Sequence, residues 1–284
     1  MPFAFTANNH PPSTVTQRHL KIGRTPRLEM VLCLICMALF ALAVLGPSVE
    51  QPGHYHAFAD QRHLLGIPNL MDVVSNLAFA GFGAMGAWHL WRTSTAAFSA
   101  IDRRLAGLFF FGLIVTAAFS GWYHLQPDNE GLAIDRYGMT VAFAGLLGLA
   151  ASTRVSERAG QWLGLAVLVC GAWSIQSWSA LGNVLPWAIL QYGGMAVILA
   201  LACLPARMGA LSISWLTVLL IYTLAKLLEH ADQSVFELTH GLVSGHTLKH
   251  LVASCAALPV LAAIRRANRP LESSACDATF AAKR

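Results

Sequence analysis

The chain has 284 residues, of which 56% are hydrophobic and only 12% charged. A soluble globular domain carries about 25% charged residues, so this composition excludes one and requires lipid as solvent. The net charge of +5 lies in short basic blocks between apolar runs, which is a membrane-topology pattern and not a nucleic-acid groove.

Residues 1–28 are polar, contain Arg18, Lys21, Arg24 and Arg27, and read as a cytoplasmic tail. A membrane-spanning helix takes about 20 mostly apolar residues. Eight such runs follow, near 30–47, 70–91, 104–124, 134–152, 160–178, 184–204, 211–230 and 243–264. The first lacks a small-residue cleavage site and runs into Gly46-Pro47, so residues 29–49 are expected to form a retained helix and not a signal peptide. Cys33 and Cys36 form a C-x-x-C inside it, but a zinc ribbon needs two such pairs, and helix packing is the better reading. Residues 50–264 then read as one membrane-spanning core, with neither an internal repeat nor the broken helices of a transporter. Residues 265–284 are polar and read as a disordered cytoplasmic tail. The expected fold class is all-α, a polytopic membrane helix bundle.

Fifteen of the nineteen Lys and Arg residues fall on the side shared by the two termini, which the positive-inside rule makes cytoplasmic. The opposite side receives Arg62, Arg136, Lys226 and Lys249, most of the acids, and eight of the eleven histidines. Ionisable groups at membrane depth are costly and usually mark function. The short loops and compact size suggest a bacterial inner-membrane protein with its site facing the extracytoplasmic side.

Three helix ends bring candidate metal ligands to that level. His124 closes one run, in Ser120-Gly-Trp-Tyr-His124; Asp135 opens the next; His246 and His250 open the last, in Ser244-Gly-His246-Thr-Leu-Lys-His250. The i, i+4 spacing puts His246 and His250 on one helical face, and Ser120 and His124 share a face in the same way. Three imidazoles that leave a fourth position open form the pattern of a hydrolytic zinc site. Thr247 stands where the H-E-x-x-H motif has its glutamate, so the general base must come from elsewhere, and Asp135 is the nearest acid. Lys226, Glu229 and Asp232 lie within one broad face of the run before it and suggest an internal ion-pair network. Asp60, Asn69, Asp72, Ser75 and Asn76 lie around the start of the second run, where they can hydrogen-bond to neighbouring helices and orient the ligands. His54, His56, His63, His230 and His240 read as loop or interfacial residues.

The Ser-x3-His of one helix, an Asp eleven residues after that His, and the late His-x3-His together resemble the alkaline ceramidases. These belong to the CREST group of seven-helix membrane hydrolases, and Val74-Ser75-Asn76-Leu77 resembles the start of their first helix. The resemblance covers roughly residues 60–264 and makes the first helix here an addition to a seven-helix core. It implies that His124, His246 and His250 bind Zn2+, that Asp135 helps activate water at the metal, and that Ser120 supports the oxyanion. It also implies hydrolysis of the amide of ceramide or a related N-acyl lipid. The other functions weighed are a CREST-type hydrolase of a different lipid ester or amide, and a receptor or transporter without catalysis. Eukaryotic members carry an acidic calcium-binding segment before the first core helix. Asp60-Gln61-Arg62 and Asn69 replace it here, and Arg62 is hostile to calcium.

Overall fold

Helices account for nearly all the regular structure of residues 14–268, the part of the chain that the computed structural model describes. The chain is an all-α, multi-pass membrane bundle. In chain order the helices are α1 (Thr14–Leu45), α2 (Leu70–Ser75), α3 (Leu77–Arg92), α4 (Ala100–Leu125), α5 (Asn129–Arg154) and α6 (Glu157–Leu181). A further span combines α7 (Leu185–Ala188), a π-helical turn (Ile189–Gly193) and α8 (Gly194–Ala202). Then come α9 (Trp215–His230), α10 (Asp232–Leu238), α11 (Gly245–Ser254) and α12 (Ala257–Ala267). A two-residue hairpin, β1 (His63–Leu64) with β2 (Ile67–Pro68), precedes α2.

Seven of the eight expected spans are helices long and apolar enough to cross a membrane. The eighth, α9, has 16 residues and is about 24 Å long at 1.5 Å per residue. It still joins the two ends of the bundle. Trp215 at its start donates to Thr153 at the end of α5, whereas Asp232 just past its other end meets the loop before α2. Three spans carry an irregularity: at Asn76 between α2 and α3, at the π turn, and at Cys255-Ala256 between α11 and α12. The cap residues there keep right-handed helical dihedrals, so these spans are irregular helices and not unwound ones. Helix α1 begins at Thr14, inside the segment read as a polar tail, and α12 continues to Ala267, past Arg265. Residues 269–284 of the expected C-terminal tail lie outside the described residues.

Burial separates a central helix from a peripheral one. In the most apolar stretch of α5, 67% of residues are buried; in α1 it is 11%. Helix α5 is thus surrounded by protein and α1 is largely lipid-facing. Small residues let α4 and α5 approach closely: a Cβ on Gly138 would lie 3.0 Å from Cα of Thr116. This contact fixes the end of α4, with Ser120 and His124, beside the start of α5, with Asp135. Four helix starts are capped by a side chain accepting from the N–H three residues on: Ser99, Asp128, Ser156 and Ser244. The last of these starts the histidine-bearing helix.

Candidate metal centre

Helix ends place the three histidines. His124 sits in the last turn of α4, and His246 and His250 lie one turn apart at the start of α11; all three are buried. Each offers one ring nitrogen, and these atoms lie within 4.8 Å of one another. Nε2 of His246 is 3.3 Å from Nε2 of His124. Two nitrogens bound at about 2.0–2.1 Å to a tetrahedral ion stand roughly 3.3–3.4 Å apart, so this pair is spaced as metal ligands are. Among the described residues, this group can hold a metal ion and Asp135 is not part of it.

The surroundings orient the rings. The Ser75 hydroxyl donates to the carbonyl of Asp72 at 2.9 Å, so its oxygen accepts from Nδ1–H of His250 at 2.8 Å. That assigns the proton to Nδ1 and leaves the lone pair of Nε2 free as a ligand. Asp72, fully buried, accepts from the hydroxyls of Thr247 at 2.5 Å and Ser244 at 3.4 Å, tying α2 to the start of α11. Asn69 donates to the carbonyl of His124 at 3.0 Å. It takes up a left-handed backbone, φ 47°, which Asn tolerates better than most residues. Asn76 donates to the carbonyl of Asp72 in its own helix segment, so its amide NH2 does not reach a neighbouring helix.

The other acid group is divided. Lys226 pairs with Glu229, and Lys249 of α11 donates to Glu229 at 3.0 Å. Asp232 does not join this network, contrary to the sequence expectation. Helix α9 ends at His230, and the turn at Ala231 points Asp232 elsewhere. One of its oxygens accepts from the N–H of His246 at 2.7 Å and the other from the N–H of Ala59 at 2.9 Å. Gly245 makes this approach possible, since a Cβ there would fall 2.7 Å from Cα of Asp232.

Ala59 belongs to the segment between α1 and α2, which lies over the histidines. The Phe58 ring centroid is 4.8 Å from that of His124 and 4.5 Å from that of His246. His56, read as a loop residue, bonds Tyr123 at 2.8 Å and Asn129 at 2.9 Å and is not a ligand. Arg62 grips Asp60 at 2.6 Å and donates to the carbonyls of Gly241 at 2.5 Å and Leu242 at 3.1 Å. Burial would raise the Asp60 carboxyl; the hydrogen bonds from Arg62 overcome this and hold it below its ordinary value.

Below the histidines lies a largely apolar cavity lined by Phe79, Phe109, Leu113, Met139, Phe143 and Leu146, among others. Ser120, Asp135 and His250 line it, as do Lys226, Glu229 and Lys249. Ser120 of α4 and Asp135 of α5 line the same cavity from packed helices. The Oδ1 of Asp135 is buried and has no hydrogen-bond partner, and the same holds for the hydroxyl of Tyr222, also in this wall. An acid with an oxygen in reserve, a hydroxyl one helix away and three metal-competent imidazoles form a constellation suited to hydrolysis. Phe58, Tyr222 and Lys249 are site residues that spacing alone did not single out. The chain matches no family model and no curated protein.

Proposed function

We propose that the protein is a zinc-dependent, membrane-embedded amidohydrolase that cleaves the amide of ceramide or a related N-acyl lipid, of the kind the alkaline ceramidases perform. The observation that carries this reading is the buried trio His124, His246 and His250 at the head of an apolar cavity that also contains Ser120 and Asp135. Three neutral imidazoles suit zinc better than the hard oxygen-seeking cations. When bound, zinc supplies a Lewis acid for the acyl carbonyl and lowers the pKa of water towards about 7.

The residues of the chain do the rest. Asp135 takes a proton from the attacking water and delivers it to the departing amine, releasing fatty acid and free amine. Ser120 donates a hydrogen bond to the carbonyl oxygen as it gains charge. Phe58 keeps bulk water from the loop side, and Phe109, Leu113 and Leu146 face the acyl chain. The space open to small molecules is about 80 Å³, so a lipid tail enters by displacing side chains between helices.

The test is metal content and fatty-acid release by the purified protein with an N-acyl sphingoid substrate. About one zinc per chain is expected, lost together with activity in the His246→Ala/His250→Ala double variant. Unchanged zinc in that variant would falsify the assignment. The proposed site lies on the extracytoplasmic side of a bacterial inner membrane, and the charge asymmetry of the loops supports that side. Cysteine labelling at residue 128 from outside and at residue 156 only from inside is the expected result, and the reverse pattern would refute it.

A further inference from the structure

Lys249 holds two bonds in this site that cannot both persist once the histidines take a metal. Its Nζ lies 3.0 Å from Glu229 and 3.1 Å from Nε2 of His246. That same Nε2 faces His124 at 3.3 Å. An imidazole nitrogen has one lone pair, so it cannot accept from the amine and ligate an ion together. With His246 committed to metal, Lys249 keeps one partner and has two ammonium hydrogens to spare.

Charge counting points the same way. Lys226 and Lys249 share the single carboxylate of Glu229, on its two separate oxygens. The ion-pair group by itself therefore carries one surplus positive charge; Asp135, the one other acid among the residues lining the cavity, offsets it as a carboxylate but not once it has taken up the proton of the reaction. The rest of the wall is mostly aromatic and aliphatic, where an unmet cation is costly. The contact with His246 puts that surplus within a few ångströms of the reacting atoms. The acyl tail occupies the apolar part of the cavity, so the partner of Lys249 must lie on the amine half of the substrate.

We infer that Lys249 anchors a carboxylate carried by the amine half of the substrate, which makes N-acyl amino acids the preferred class over neutral N-acyl amines. This rests on the hydrolase reading for its substrate geometry. Charge-assisted hydrogen bonds are the strong ones in such surroundings, and the anion also meets the field of the metal.

The probes are N-oleoylglycine and N-oleoylethanolamine, which share a tail and amide and differ in carboxylate against hydroxymethyl. Equilibrium binding to the zinc-loaded protein in lipid nanodiscs should favour the glycine conjugate at least tenfold. Lys249→Met should erase that ratio while retaining zinc. A preference that Lys249→Met abolishes supports the anchor even if neither amide is cleaved, an outcome that defeats the hydrolase reading alone. Equal binding of the two probes by the parent protein overturns the anchor, as does a preference that survives Lys249→Met. The parent measurement needs no variant, so poor folding of Lys249→Met leaves the inference open to refutation.

Discussion

Ser75 and His250 are joined by a 2.8 Å contact between Oγ and Nδ1, and the direction of that bond is set by the second bond of Ser75 to the carbonyl of Asp72. A serine hydroxyl has one hydrogen, so only one tautomer of His250 satisfies both contacts. Removing the hydroxyl leaves the ring free to choose the other tautomer or to rotate. Partners of this kind typically change metal affinity by about 10–100-fold. Ser75→Ala should therefore weaken zinc binding by roughly that factor with little loss of helical content, read by competition with a chromogenic chelator and by circular dichroism. Wild-type zinc affinity in Ser75→Ala would show that packing against Phe79 alone orients the ring.

Asp232 connects the histidine helix to the segment above it through the N–H groups of His246 and Ala59. Both are charge-assisted bonds, and hydrogen bonds to charged groups contribute about 1.5–3 kcal/mol. Asp232→Ala should lower the melting temperature of the detergent-solubilised protein. It should also speed hydrogen exchange at residues 56–62 more than in α4 or α5. Exchange in that segment matching the parent would mean that Arg62, through Gly241 and Leu242, holds it unaided.

Calcium removal should leave activity largely unchanged. Of the acids before and at the start of α2, Asp60 is engaged by Arg62, and Asp72 is buried against Thr247 and Ser244. A calcium site wants six to eight oxygen ligands, and a guanidinium in the middle opposes it. Activity measured after treatment with a calcium-selective chelator checks this. A strong loss restored by calcium alone would mean that Arg62 swings away and the acids rebuild a site.

Much of this architecture is legible in the order of residues, and the reason is physical. In lipid a span must satisfy its own backbone as an apolar helix, so runs such as 70–91 and 104–124 mark the spans Leu70–Arg92 and Ala100–Leu125 with small errors at the ends, although not the irregularity at Asn76. The metal trio is legible because alternating helices return every second end to one depth, where His124, His246 and His250 were already the odd residues. Lys249 was within reach of the same logic, since it is an ionisable group between two histidines in one turn. Phe58 and the bonds of Asp232 were not. They join residues 58–59 to 232 and 246 across irregular chain, where no periodicity reports which loop folds over which. The break at Ala231 also escaped, because the spacing of Lys226, Glu229 and Asp232 fits an unbroken helix that the chain does not form.

Asp135 and Ser120 separate metal binding from turnover. Both are buried, both line the cavity, and neither belongs to the imidazole trio. The Oδ1 of Asp135 has no hydrogen-bond partner among the described residues, as the proposed role of receiving a proton requires. Asp135→Asn keeps the shape and removes the basic oxygen, so zinc should stay near one per chain while hydrolysis falls by about 10²–10⁴-fold. Ser120→Ala should also keep zinc, and the loss of one donor to the developing oxyanion can cost a few kcal/mol, a further large drop in rate. The two effects should not add fully in the double variant, because Ser120 and Asp135 line one cavity and act on the same reacting group. Zinc by mass spectrometry and fatty-acid release by chromatography, on the same purified samples, give both readouts. An Asp135→Asn protein that has lost its zinc would make Asp135 a ligand and send the search for the base to another group, with Glu229 the next acid in the cavity wall. Full turnover in both single variants would leave the metal centre standing and remove the catalytic role of this pair.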